Sequence, residues 1–181
     1  MNKKLIPLLL VLVALFQGCT GPEGPPGPEG GSIDVTGATF DLVGVNFTAA
    51  NDFRSTMTYT DAKVTVLESD AVLVYIHWET VTAGGENLKV FRLLPQTHFF
   101  TNNGILTYNF DQTKRDFSIF LDGNLNLAAL ADDWTKNQDF RIVIVPADPA
   151  RKSGSVDYND YNAVVKEFNI DESKIRTVSA H

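Results

Sequence analysis

The chain of 181 residues contains a single cysteine, so no intramolecular disulfide can support its fold. It has only three histidines, at positions 77, 98 and 181, which leaves few imidazoles for acid–base or metal chemistry. Cationic clusters are missing too: Lys114-Arg115 and Arg151-Lys152 are the densest basic pairs outside the leader, and acids outnumber bases 22 to 15. A surface of that sign repels phosphate backbones, so nucleic acid is excluded as a partner. No Gly-x-Ser-x-Gly elbow, His-Glu-x-x-His zinc helix, Walker loop or dinucleotide fingerprint occurs. The apolar run from Leu5 to Phe16 reaches only about 18 Å as a helix, short of the roughly 30 Å of a bilayer's hydrocarbon core, so it is no permanent transmembrane span.

What that run does fit is a secretory leader. Lys3 and Lys4 form a positive n-region, Leu5 to Phe16 an apolar h-region, and Gly18 the small residue before a cut. Cys19 follows directly. The segment Leu15-Phe16-Gln17-Gly18-Cys19 resembles the lipobox of bacterial lipoproteins, with Phe16 and Gln17 departing from the usual residues upstream of Gly18-Cys19. That resemblance implies acylation of Cys19. Two or more acyl chains hold a protein stably, each buried methylene contributing about 0.8 kcal/mol. Thr20 in place of the Asp that marks inner-membrane retention implies the outer membrane, on its periplasmic or outer face. A thiol consumed in this way is also unavailable as a nucleophile.

Glycine then recurs every third residue in Gly21-Pro22-Glu23, Gly24-Pro25-Pro26 and Gly27-Pro28-Glu29, ahead of Gly30-Gly31-Ser32. The period is that of collagen, where only glycine fits the axis of three polyproline II chains. With so few triplets, a monomeric spacer of roughly 30 Å is the expectation and a trimerising triple helix the alternative. Lipoproteins with a short collagen-like segment after the lipidated cysteine form a recognisable type, and residues 1–32 resemble it. The expected organisation is a leader over 1–18, a lipidated N-terminus and stalk over 19–32, and one β-rich domain over 33–181. Without Lys3 and Lys4, thirteen bases face twenty-two acids, a formal charge of −9 for the mature chain.

Within the domain, apolar and β-branched runs alternate with turn chemistry. Strands are expected over Phe40 to Phe47, around Phe53 to Tyr59, Val64 to Leu67, Ala71 to Thr80, Leu88 to Leu94, Ile105 to Phe110, Asp116 to Leu121 and Phe140 to Val145. Ala71 to Thr80 is apolar on both alternating faces, as a strand covered on both sides would be. Ala83-Gly84-Gly85, Asn102-Asn103-Gly104 and Asp122-Gly123-Asn124 supply turns, Asn103-Gly104 being the strongest hairpin signal. An antiparallel β-sandwich is the expected fold, with a closed barrel the alternative. Leu125 to Trp134 should bridge two strands as one or two helical turns. Asp157 should cap a C-terminal helix from Tyr158 to Phe168, with an edge strand through Ile175 to Val178.

Candidate sites are sparse. His77, His98 and Glu79 would have to converge across strands to hold zinc or copper, and structural histidines are the simpler reading. Asp122-x-Asn124-x-Asn126 with Asp133 mimics EF-hand spacing, but Leu127 stands where glycine is required, so a polar turn is expected. Trp134 and Tyr158 fall in loop or helix-start contexts where one ring face could serve as a glycan- or protein-binding platform. No cofactor is expected. The leading function is a non-enzymatic binding or structural module contacting an envelope protein or a glycan. The alternative is an envelope hydrolase using acids such as Asp132, Asp133 or Glu79.

Overall fold

A computed structural model describes residues 38–147 and 156–180; the leader, Cys19, the Gly/Pro stalk and Arg151-Lys152 lie outside the described residues. Nine strands run in the order β1 (Thr39–Val45), β2 (Arg54–Thr58), β3 (Ala71–Ala83), β4 (Glu86–Leu93), β5 (Gln96–Phe99), β6 (Ile105–Gln112), β7 (Asp116–Gly123), β8 (Gln138–Val145) and β9 (Arg176–Ser179). Two short helices, α1 (Asp132–Thr135) and α2 (Tyr161–Glu167), complete the elements used below. The strands form a five-stranded sheet, β4-β3-β8-β1-β9, and a four-stranded one, β2-β7-β6-β5. Pairing is antiparallel throughout except between β1 and β9. The sheets stay separate, so the sandwich forms and the barrel does not.

Alternation along β3 decides the layering. Val72, Val74 and Ile76 enter the core between the sheets with Phe40, Leu106, Phe117 and Ile142. Leu73 and Tyr75 point the other way, into a second cluster with Val143 and Val145 of β8 and Tyr161 and Val164 of α2. The strand is thus covered on both faces, as its composition requires, and α2 supplies the outer cover. Full burial of side chains such as Val164 contributes about 1.5–3 kcal/mol each, which is what holds a helix too short to be stable alone.

Two local expectations need correction. Val64 to Leu67 has no regular secondary structure and joins neither sheet. Val64 and Val66 pack against the core while Leu67 is 62% exposed, so the β-branched residues there encode packing rather than pairing. The C-terminal helix begins at Tyr161, not Tyr158, because Asp160 caps it through the Asn162 and Ala163 amides. Asp157 instead heads a turn, its Oδ1 accepting from the Asn159 amide at 3.0 Å. The Leu125 to Trp134 segment bridges β7 and β8 in two short turns, as expected: a 3-10 turn at Leu127–Ala129 and α1, with extended backbone at Leu130 and Ala131 between them.

Two of the three predicted turns follow their sequences, and the third needs correction. Gly84 and Gly85, both at positive φ, close the two-residue β3–β4 hairpin, and Asn103 at φ 61° turns β5 into β6. Asp122-Gly123-Asn124 is not a turn of that kind, since β7 runs on through Gly123. A Cβ built there would lie 2.1 Å from the Ile105 carbonyl oxygen, and backbone cannot move aside as a side chain can. Gly123→Ala is therefore expected to cost roughly 1–3 kcal/mol through overpacking, read as a lower urea midpoint at unchanged slope.

Candidate functional site

Two concavities border the five-stranded sheet. One opens between the sheets with a volume of about 320 Å³, lined by Ile76 and Trp78 of β3, His98 of β5, Tyr108 of β6 and Trp134 of α1, among others. The second, of about 580 Å³, lies beside β4 and the start of α2 and includes Phe91, Arg141, Tyr161 and Glu172.

The larger one is built around an arginine with four of its five N–H donors already engaged. Arg141 is 6% exposed. Its Nε and Nη2 donate to Asp41 Oδ1 and Oδ2 at 2.7 and 2.9 Å, and its Nη1 donates to the Tyr161 hydroxyl at 2.5 Å and to Glu172 Oε1 at 2.7 Å. The guanidinium also lies over both Phe91 and Tyr161, 4.2 and 5.3 Å from the centroids of two rings that are themselves 5.1 Å apart. Burial works against its charge, but the bonds to Asp41 and Tyr161 more than compensate and raise its pKa. Burial likewise pushes the Tyr161 phenol above its ordinary range, against the pull of Arg141, so the hydroxyl stays protonated and donates to Glu172 at 3.0 Å. This network ties β1, β8, α2 and the Glu172 turn together; it is a staple rather than a receptor.

The smaller cleft is different, because its polar groups are not all spent. The rings of His98, Phe100 and Trp134 cluster at its wall, with centroid separations of 4.3 Å (His98–Trp134), 4.5 Å (His98–Phe100) and 5.2 Å (Phe100–Trp134). Trp134 is positioned by its own backbone: the buried Tyr108 hydroxyl, whose pKa burial raises, donates to the Trp134 carbonyl at 2.6 Å. Gln138 Nε2 donates to the carbonyls of Asp133 and Lys136 at 3.0 and 2.7 Å, fixing the same turn. Trp78 stands on β3 just beyond Ile76, where pairing with β8 ends, and Arg92 of β4 stacks over it at 4.4 Å. Among the described residues, the His98 ring nitrogens and the Asp133 carboxylate have no hydrogen-bond partner.

Of the two aromatic candidates read from the sequence, Trp134 lines this cleft and Tyr158 does not. Tyr158 is 40% exposed, and its carbonyl accepts from the Tyr75 hydroxyl at 2.7 Å beside the outer cluster. The two rings do not make one platform. His77 and His98 both border the cleft, but no group of three or more His, Cys, Asp or Glu among the described residues is arranged to hold a metal. His77 Nε2 lies 3.0 Å from Thr80 Oγ1. Glu79 pairs with Arg92 at 3.6 Å and Asp132 with Lys136 at 3.1 Å, so of the three acids only Asp133 lines the cleft. Three of the four EF-hand-like residues are engaged locally: Asp122 Oδ1 accepts from the Gly123 amide, Asn124 Oδ1 from the Ile105 amide and Asn126 Oδ1 from the Ala128 amide, while Asp133 faces the cleft.

Sequence reading passed over Trp78, which alternation placed with the core, and the strand β5 that carries His98, a four-residue run directly after Pro95. Hydropathy gave no signal there, because Gln96 and His98 face inward while Phe99 is 71% exposed; only the Asn103-Gly104 turn, which needs a strand before it, pointed to β5. No protein-family model, curated protein or solved structure matches this chain.

Proposed function

We propose that this chain is a non-enzymatic, lipid-anchored module of the bacterial cell envelope, held at the outer membrane through acylated Cys19 and spaced from it by the Gly/Pro stalk, that binds a glycan in the Trp134 cleft. The observation that carries the reading is that both tryptophans of the chain, Trp78 and Trp134, border one cleft beside uncommitted polar groups. A sugar ring has apolar C–H faces and a hydroxylated rim, and so needs an aromatic surface next to donors and acceptors. The His98 imidazole and the Asp133 carboxylate supply the latter. At about 320 Å³ the cleft lies at the small end of ligand pockets and takes one or two sugar rings. Affinity should be modest, on the order of 0.1–1 mM for a short oligosaccharide. The carboxylates support a non-enzymatic role: glycoside hydrolysis uses a facing pair, and among the described residues Asp133 lines the cleft without a second acid.

Because both tryptophans sit at the cleft, intrinsic fluorescence reports on it without a label. Titration with a panel of envelope and host oligosaccharides should give a saturable change for at least one member. Trp134→Ala should weaken that binding by about thirtyfold, the cost of losing a central aromatic contact. The milder Trp134→Phe guards against damage to the core on which Trp134 packs, with Trp78 as the remaining reporter. A panel with no response would overturn the glycan reading, as would a Trp134→Ala protein that folds and binds normally.

A further inference from the structure

We infer that the glycan taken by this cleft is an amino sugar carrying a free ammonium group, with Asp133 as its counterion and the Trp134 ring as its apolar support, an inference that rests on the glycan reading above. The charges around the cleft are matched save one. Arg92 is neutralised by Glu79 at 3.6 Å, and Lys136 by Asp132 at 3.1 Å. Asp133, adjacent to Trp134 on α1, lines the cleft with no cation among the described residues paired to it. A carboxylate beside an indole is a receptor for a cation, the one by charge and the other by the negative face of the ring.

The opposite wall shows the same chemistry satisfied from within. There Trp78 holds the Arg92 guanidinium 4.4 Å from its ring centroid, and Glu79 supplies the carboxylate. Trp134 and Asp133 repeat the indole and the acid without the cation. A neutral sugar would satisfy the ring but leave Asp133 unpaired, and an acidic sugar would set two negative charges together. The chain's net charge of −7 works in the same direction, enriching cations near its surface. The hydroxyls remain for His98 to read, so a simple amine would capture only part of the site.

The experiment compares a trimer of glucosamine with the corresponding trimer of N-acetylglucosamine, titrated by tryptophan fluorescence into the full chain in detergent. Acetylation removes the positive charge and leaves the rings intact. The expected result is about tenfold tighter binding of the free amine, the combined effect of one partly shielded ion pair and one cation–π contact. That preference should shrink between about 20 mM and about 500 mM salt as the charges are screened. Asp133→Asn should reduce the ratio of the two affinities to about one, the free amine losing about tenfold and N-acetylglucosamine, whose hydroxyls an amide can still bind, changing by much less. Its exposed side chain makes no bond within the described residues, and the carbonyl that holds Gln138 is retained. Equal or tighter binding of the acetylated trimer would overturn the inference and leave the glycan reading standing. So would a preference that survives Asp133→Asn. A lysine tripeptide binding as tightly as the amino sugar would overturn the sugar class. Silence from both trimers, with a neutral oligosaccharide of the panel binding, would also overturn the inference, whereas silence from every sugar would remove the glycan reading with it.

Discussion

Arg141→Ala is expected to destabilise the domain by about 3–5 kcal/mol, a large part of the stability of a domain of this size. The cost arises less from the lost bonds than from what they leave behind. Asp41 is only 17% exposed at its side chain and would keep its charge with no partner. Glu172, at 53%, can turn to water, so the penalty falls mainly on β1. The Tyr161 hydroxyl keeps Glu172 as an acceptor, and α2 keeps its apolar contacts to β3 and β8. Arg141→Met should fare little better than alanine, because it too orphans Asp41. The pair Asp41→Leu with Arg141→Met should recover most of the loss, since a buried ion pair replaced by apolar residues of similar volume is often neutral or stabilising. Urea midpoints of the single and double variants decide the point. A single variant within about 0.5 kcal/mol of the parent would show that the network contributes geometry and no net stability.

The second large effect is at Cys19. Cys19→Ser should reduce incorporation of labelled palmitate to background and remove the chain's partition into the detergent phase through acyl groups, because a hydroxyl cannot replace the thiol to which the lipid is joined. Two acyl chains of about fifteen buried methylenes each account for over 20 kcal/mol of transfer free energy at about 0.8 kcal/mol per methylene, so the change should be close to all-or-none. An unmodified parent chain, or label that persists in the serine variant, would overturn the anchor proposed from residues 15–19.

How far the sequence led can be judged residue by residue. Ala71 to Thr80 announced a doubly covered strand because burial on both faces leaves no room for polar alternation, and β3 obeys this as far as Ile76. Asn103-Gly104 and Gly84-Gly85 were legible because positive φ is a local requirement that few residues meet. Asp157 and Asp160 are equally good caps in isolation; which one starts the helix depends on where Tyr161 must sit to reach Arg141 and Tyr75, and that is a tertiary fact. The cleft was half legible. Trp134 stood out by position, but Trp78, His98 and Asp133 meet it only because β8 starts at Gln138 and leaves β3 without it beyond Ile76, and because β5 is as short as it is, and no periodicity encodes where a neighbouring strand stops.

The parallel pairing of β9 with β1 bears on the order of events in synthesis. Phe40 lies beside Arg176 and Leu42 beside Val178, while Arg176 also donates from 114 residues away to the Ala62 carbonyl. A chain made or threaded from its N-terminus therefore carries β1 with both edges unfilled and Asp41 waiting for Arg141 until β8 emerges, and with one edge unfilled until β9 does. Pairings this distant close late, because the entropy of the long loop must be met first. The hairpins β3–β4, β5–β6 and β6–β7 can close locally as they appear, whereas the first strand gains its neighbours only from the far end of the chain.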